Sequence, residues 1–211
     1  MQQRKAKEQP QKTIKTQNLL RMKKKSIDFE SRFWCGRKKH SALSLMEVFF
    51  QFHDLVTAKK HLNLIMQYAA QRKTRIPEEP SVVFYFHQSL RSFIRAAYSL
   101  RNKHGKWLVH ELSEHKNPML QGSLSGKEYC DPAKVFKKAF KKYRLEEFEE
   151  FLSEVVYFSL GTFNNVPERN IVDPYLHLIK MLDAAWLILE RENNREKLTH
   201  EQQQTAELQS T

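Results

Sequence analysis

The chain has 211 residues and a formal net charge of +12 at pH 7, with 36 lysines and arginines against 24 acidic residues. Only 5 residues are glycine, a composition that favours helices. No apolar run approaches the roughly 18 residues of a membrane-spanning helix, and two cysteines are too few for a disulfide framework. We therefore exclude a disulfide-rich secreted domain and expect a cytoplasmic protein without contact to a membrane.

The positive charge is concentrated at the N-terminus. Residues 1–40 hold 13 lysines and arginines against three acids, so they carry +10 of the net +12. We expect residues 1–25 to form a disordered basic arm, because they offer few apolar groups to bury. We expect residues 26–211 to form a single helical domain. Aromatic residues return in 26–40, and we expect this segment to dock on the rest of that domain. Two basic clusters lie on either side of the aromatic residues of this segment and are candidate phosphate-binding sites. The alternative is a solubilising tail. The clusters are Lys23, Lys24 and Lys25, and Arg37, Lys38 and Lys39.

The first half of the domain is predicted to form a helix hairpin over about 41–104. Ser44 and Glu47 have the spacing of a capping box, and Asp54 is the predicted N-cap of the next helix. From Val83 onward a long apolar stripe repeats with the helical period. Gly105 is predicted to end or bend this helix.

The second half is predicted to form another helix hairpin over about 131–197, followed by a frayed C-terminal tail. Residues 116–130 contain proline, glycines and serines, a composition typical of a loop. Asp131 and Asp173 each precede a proline, which predicts two N-caps with proline at the first helical position. No segment shows strand alternation. The predicted fold is an all-α antiparallel bundle of two helix hairpins.

The two halves also resemble each other. An offset of 90 residues aligns apolar positions of the first helix of each half, and an offset of 88 aligns a small-small-aromatic triplet in the second helix of each half. This pattern favours an internal duplication, with chance similarity between amphipathic helices as the alternative. The aligned sets are Leu55, Leu62 and Ile65 with Leu145, Leu152 and Val155, and Ala96, Ala97 and Tyr98 with Ala184, Ala185 and Trp186.

A polar stretch at the end of the first hairpin contains Arg101, Asn102, His104 and His110. It resembles the Arg-Asn-centred segment of HEPN domains, all-helical folds that often act as RNA-cleaving toxins or antiviral effectors. The resemblance implies metal-independent RNA cleavage, in which the arginine binds the scissile phosphate and a histidine acts as acid and base. His104 lies nearer to Arg101, and His110 farther from it, than the family motif places its histidine. The alternative is a helix C-terminus whose cations complement the macrodipole.

A basic amphipathic helix is predicted around residues 133–143. Its apolar residues share one face, and a lysine-rich face can follow a phosphate backbone. The alternative is a surface helix neutralised by the acidic run at 146–150. The candidate nucleic-acid-binding lysines of this face are Lys134, Lys137, Lys138, Lys141 and Lys142.

Neither metal-ligand spacing nor a phosphate-binding loop is found, so we predict no metal and no cofactor. We expect a non-enzymatic accessory or adaptor protein that contacts RNA or DNA, without sequence preference, through the basic arm and the basic helix face. The alternatives are an HEPN-like ribonuclease and a bundle that binds only proteins, including a second copy of itself.

Overall fold

The computed structural model describes residues 28–36, 40–103, 105–109 and 122–209, with side chains described as far as Arg195. These ranges contain eight helices and no strand, which confirms the predicted all-α bundle. The predicted arm over 1–25 lies outside the described residues. The helices are α1 (Ser31–Trp34), α2 (Ala42–Phe52), α3 (Leu55–Ala69), α4 (Pro80–Leu100), α5 (Gly126–Cys130), α6 (Ala133–Lys142), α7 (Leu145–Leu160) and α8 (Val172–Gln209).

The first two helix starts show how local hydrogen bonding sets the boundaries. The carboxylate of Asp54 accepts a bond from the backbone N–H of Thr57 at 2.9 Å, so the predicted N-cap of α3 is confirmed. The capping box predicted at Ser44 and Glu47 is wrong. The N-cap of α2 is Ser41, whose hydroxyl accepts from the Ser44 N–H at 3.0 Å. An earlier serine therefore performs the same capping function one turn sooner.

The N-caps predicted at the two aspartate–proline pairs are also corrected. Pro132, not Asp131, occupies the N-cap position of α6. At α8 the side chain of Asn170 accepts from the N–H of Val172 at 3.0 Å, and Asp173 lies within the first turn. Helix α6 therefore begins one residue later than predicted, and α8 begins two residues earlier.

Two predicted irregular segments are partly helical. The predicted loop over 116–130 contains α5, which begins with a capping box formed by Ser125 and Glu128. The predicted frayed tail is helical in its backbone as far as Gln209. No helix in the described part of the chain combines the length and the apolar character needed to cross a bilayer.

The helices of the two halves share one core. Helix α3 packs mainly against α7 and α8, while α4 packs mainly against α2 and α7. The consecutive long helices of each half, α3 with α4 and α7 with α8, contact each other less than they contact helices of the other half. Buried phenylalanines from both halves fill this core: Phe49, Phe86, Phe93, Phe136 and Phe148.

Equivalent contacts recur at the offsets of the predicted repeat. Phe50 packs edge-to-face on Trp186 with ring centroids 5.1 Å apart. Phe140 and Tyr98, which are their counterparts at offsets of 90 and 88, pack edge-to-face at the same 5.1 Å. The helix contacts follow the same rule, since α4 with α7 and α8 with α3 are both neighbouring pairs. These repeated contacts support an internal duplication with the two halves related by a pseudo-two-fold axis.

Two ion pairs also lie at equivalent positions of the repeat. A position that holds a cation in one half holds an anion in the other half. Lys59 on α3 pairs with the buried Asp183 on α8. At the equivalent positions, Glu149 on α7 pairs with Arg95 on α4, with Nε and Oε1 2.6 Å apart. At both helix contacts the first half therefore supplies the cation and the second half supplies the anion.

Candidate nucleic-acid interface

The segment 28–36 docks on the outside of α4, as predicted for the aromatic part of the N-terminus. Trp34 is buried, and its indole N–H donates to the hydroxyl of Ser92 at 2.7 Å. The hydroxyl of Tyr85 donates to the Trp34 carbonyl at 2.8 Å. The carboxylate of Asp28 accepts from the Ser31 N–H at 2.6 Å, which begins α1. Both ends of the segment are therefore attached to the body.

Two arginines of α4 join this docked segment to α7. Arg91 pairs with Glu30 at 2.9 Å and with Glu149 at 3.0 Å. Arg95 pairs with Asp28 at 2.6 Å and with Glu149. Burial acts to raise the pKa of Glu149, but hydrogen bonds from Arg95 and Arg91 outweigh it and leave that pKa below its usual value. Asp28, the first described residue, is therefore held beside the contact between α4 and α7.

The two candidate basic clusters of the N-terminus lie outside the described residues. Asp28 and Gly36 are the described residues at the two ends of the docked segment. Each cluster is therefore close in the chain to a residue with a defined position. The clusters are Lys23, Lys24 and Lys25 before the segment and Arg37, Lys38 and Lys39 after it.

The predicted basic face on α6 is present, but three of its five lysines are paired. Lys134 lies 3.5 Å from Asp131. Lys138 is 2.9 Å from Glu128, and Lys142 is 2.7 Å from Asp173. Three of the four predicted acidic partners, Glu147, Glu149 and Glu150, pair with arginines instead, so that part of the prediction is wrong. The remaining members of the face, Lys137 and Lys141, are exposed and form no ion pair with any described residue.

Glu128 explains why Lys138 is held against the body. Its carboxylate is buried and accepts from Lys138 at 2.9 Å, Lys180 at 3.0 Å and the Ser125 N–H at 3.0 Å. Burial acts to raise the pKa of Glu128, but these donors outweigh it and lower the pKa to about 2. Lys138 therefore neutralises an acidic residue of the protein itself, which leaves its charge less available to a phosphate.

The side chain of Arg101 folds back on the end of its own helix. Its Nη1 donates to the Tyr98 carbonyl at 2.5 Å, and its guanidinium lies 3.5 Å from the centre of the Tyr98 ring. Gly105 then adopts a φ of +82°, a left-handed conformation that suits glycine. The chain turns there and buries Trp107, whose indole N–H donates to Glu192. These contacts are those of a helix terminus followed by a buried anchor.

The other residues of the HEPN-like stretch do not complete a site among the described residues. Asn102 is exposed, and both His104 and His110 lie outside the described ranges. The resemblance to HEPN domains therefore stays a prediction. Within the part of the chain that the structure covers, no three histidine, cysteine or acidic side chains cluster as metal ligands would.

A pocket of about 410 Å³, which the sequence did not predict, lies at the contact between α4 and α7. Phe84 and Tyr157, both more than half exposed, stand at its edge. Both residues lie outside the buried faces of their helices. A large aromatic side chain on the exposed face of a helix is the sequence feature that could have indicated a surface site. The lining comprises Phe84, His87, Ser153, Val156, Tyr157, Leu160, Gly161 and Phe163.

No protein-family model matches the chain, and no curated protein and no solved structure is significantly similar to it. By its fold, the described part of the protein is an all-α bundle with repeated helix contacts. Its function must be inferred from the charges and surfaces described above.

Proposed function

We propose that the protein is a non-enzymatic nucleic-acid-binding protein that holds the phosphate backbone through its basic N-terminus. The observation that supports this proposal is the docking of 28–36 on the body, with a basic cluster on either side. Lysines that neutralise phosphates release counterions, which gives binding without sequence preference. The rest of the chain, residues 41–211, has 23 basic and 21 acidic residues, so the N-terminus is the main source of attraction.

The α6 face has a smaller part in this proposal. Lys137 and Lys141 are the two lysines of that face that remain available, because the others hold acids of the body. Both cysteines, Cys35 and Cys130, are free thiols, which is compatible with the cytoplasmic location that we propose.

The test is the affinity of the full-length protein for a fluorescein-labelled single-stranded oligonucleotide, measured by anisotropy over a range of salt concentrations. We expect binding at low salt that weakens as salt rises. Replacing Lys23, Lys24 and Lys25 together by glutamine should weaken binding and make the slope of log K against log salt less negative by up to about 2, since each lost phosphate contact on a single strand removes about 0.7.

A matched control replaces three exposed lysines of the body, Lys60, Lys103 and Lys127, by glutamine. This variant has the same net charge as the first one, so it separates a local effect of the N-terminus from a general loss of charge. An equal loss in both variants would contradict a specific role of the N-terminus. Absence of binding at low salt would refute the proposal and favour a bundle that binds only proteins.

A further inference from the structure

The pocket between α4 and α7 has aromatic walls. The ring of Phe163 stacks on that of Tyr157, with centroids 4.6 Å apart and planes 28° apart. Gly161 makes this arrangement feasible, because a Cβ at that position would collide with the Phe163 ring. Phe84 faces the same cavity from α4. Flat rings that line an open pocket offer stacking surfaces to a planar ligand.

A polar group without a partner lies in the wall of this pocket. Nε2 of His87 is shielded from solvent, and it has no hydrogen-bond partner among the described residues. Burial, together with the nearby Arg91, lowers the pKa of His87 to about 4, so the ring is neutral at pH 7. A neutral imidazole nitrogen either donates or accepts one bond, and a buried nitrogen without a bond is costly. Because Nε2 is closed to solvent, a ligand in the pocket meets the aromatic rings and not this nitrogen.

The equivalent contact of the repeat, between α8 and α3, is built differently. The counterparts of His87 and Ser153 at the repeat offsets are Tyr175 and Asn63, and the tyrosine hydroxyl reaches the Asn63 side chain at 3.4 Å. At the contact between α4 and α7, by contrast, His87 and Ser153 both line the cavity. The aromatic lining is also specific to this contact, since the counterparts of the three aromatic residues Phe84, Tyr157 and Phe163 are Val172, Gln67 and Lys73. The pocket is thus not a general consequence of the bundle architecture.

A cationic loop lies beside the pocket. The N–H of Lys73 donates to the carbonyl of Phe163 at 3.1 Å, which holds the loop between α3 and α4 against the pocket wall. Lys73 has a φ of +59°, a left-handed conformation that is uncommon for lysine. Arg72, Lys73 and Arg75 are exposed and form no ion pair with the residues that the structure describes. Their charges are therefore available to an anionic ligand.

The docked N-terminal segment is attached along the same helix contact. Arg95, which holds Asp28, lies on α4 eight residues beyond His87, a distance of about 12 Å at the rise of an α-helix. Arg91 and Glu149 occupy the contact between them. The stacking pocket, the cationic loop and Asp28 are thus arranged along one contact between α4 and α7.

We propose that this pocket receives an unpaired base of a single-stranded nucleic acid, with the flanking phosphates held by Arg72, Lys73 and Arg75. Stacking on Phe84 and Tyr157 provides the affinity. This proposal rests on the proposed function and gives it a strand preference, because the bases of a duplex are not free to enter the pocket.

The test compares two ligands, an oligothymidylate and the same backbone with abasic sites, in anisotropy titrations with the full-length protein. We expect Phe84→Ala and Tyr157→Ala each to weaken oligothymidylate binding by about 5- to 150-fold, the range that one stacked base supplies. Neither variant should weaken binding to the abasic strand. Tyr157→Phe keeps the ring and should bind as the unaltered protein does.

The control is Phe52→Ala, because Phe52 is 54% exposed and Phe84 is 52% exposed, while Phe52 lies on α2 away from the pocket lining. Unchanged oligothymidylate binding in both pocket variants would overturn the base site and leave the proposed function standing. Equal affinity of the unaltered protein for the two ligands would do the same. Binding to neither ligand at low salt would overturn both proposals.

Discussion

Removal of the carboxylate of Asp183 should be among the most destabilising single changes in the body. Asp183 is fully buried, pairs with Lys59, and accepts bonds from the N–H and hydroxyl of Ser123. The substitution Asp183→Ala would leave the lysine and the serine without this partner. Loss of one member of a buried ion pair costs about 3 to 5 kcal/mol. Because the Lys59 side chain is 25% exposed and its stem is flexible, we expect a value near the lower end, about 3 kcal/mol.

The assay is chemical and thermal denaturation followed by circular dichroism. A loss of about 3 kcal/mol corresponds to a decrease in melting temperature of about 6 to 12 °C for a chain of this size. Glu47→Ala is the control, since Glu47 is exposed on α2 and such surface changes stay within about 0.5 kcal/mol. The double variant Lys59→Met/Asp183→Leu should recover much of the loss, because an apolar pair replaces a buried ion pair at little cost. A melting temperature unchanged by Asp183→Ala would refute the reasoning.

Three further predictions concern the core, the polar stretch after α4 and the pH dependence. Ala97→Leu and Ala185→Leu, at two fully buried positions, should each cost about 1 to 3 kcal/mol by overpacking; unchanged melting of both would show that these stripes are not core. Trp107→Ala should cost about 3 to 5 kcal/mol because it empties a buried site, whereas Arg101→Ala should cost no more than about 1 kcal/mol. We expect no RNA cleavage without added metal, and cleavage that disappears with Arg101→Ala would favour the ribonuclease alternative. Burial, reinforced by His61, lowers the pKa of His53 to about 4. The unfolded state therefore takes up this proton first as pH falls from about 6.5 to 4, and stability falls across that window. His53→Gln should flatten the free energy of unfolding against pH there, and an unchanged slope would contradict the assignment.

Features that depend on local spacing could be predicted from the sequence. The buried faces of α3 and α4 follow a helical period, and Asp54 caps α3 because its side chain reaches an amide three residues away. The repeat offsets could be found for the same reason, since equivalent helices bury equivalent positions. The cap of α2 could not be chosen as reliably, because Ser41 and Ser44 both precede apolar residues and only the structure shows which one bonds.

Features that depend on contacts between distant segments could not be predicted. Lys138 and Lys142 pair with Glu128 and Asp173, residues of other helices, and not with the acids that follow them in sequence. The pocket arises only where Phe84 of α4 meets Tyr157 of α7. No periodicity within one helix indicates such a meeting, so the site could be identified only after the helices were placed side by side.

In the complex that we propose, nucleic acid lies along the contact between α4 and α7, from the basic N-terminus to the aromatic pocket. The most direct measurement is photo-cross-linking of the full-length protein to a single-stranded oligonucleotide that carries 4-thiothymidine, followed by mass spectrometry of the cross-linked peptides. We expect cross-links in peptides that contain Phe84, Tyr157 or Phe163, together with cross-links in residues 1–40. Cross-links confined to α6, or distributed over the surface without preference for these peptides, would contradict it.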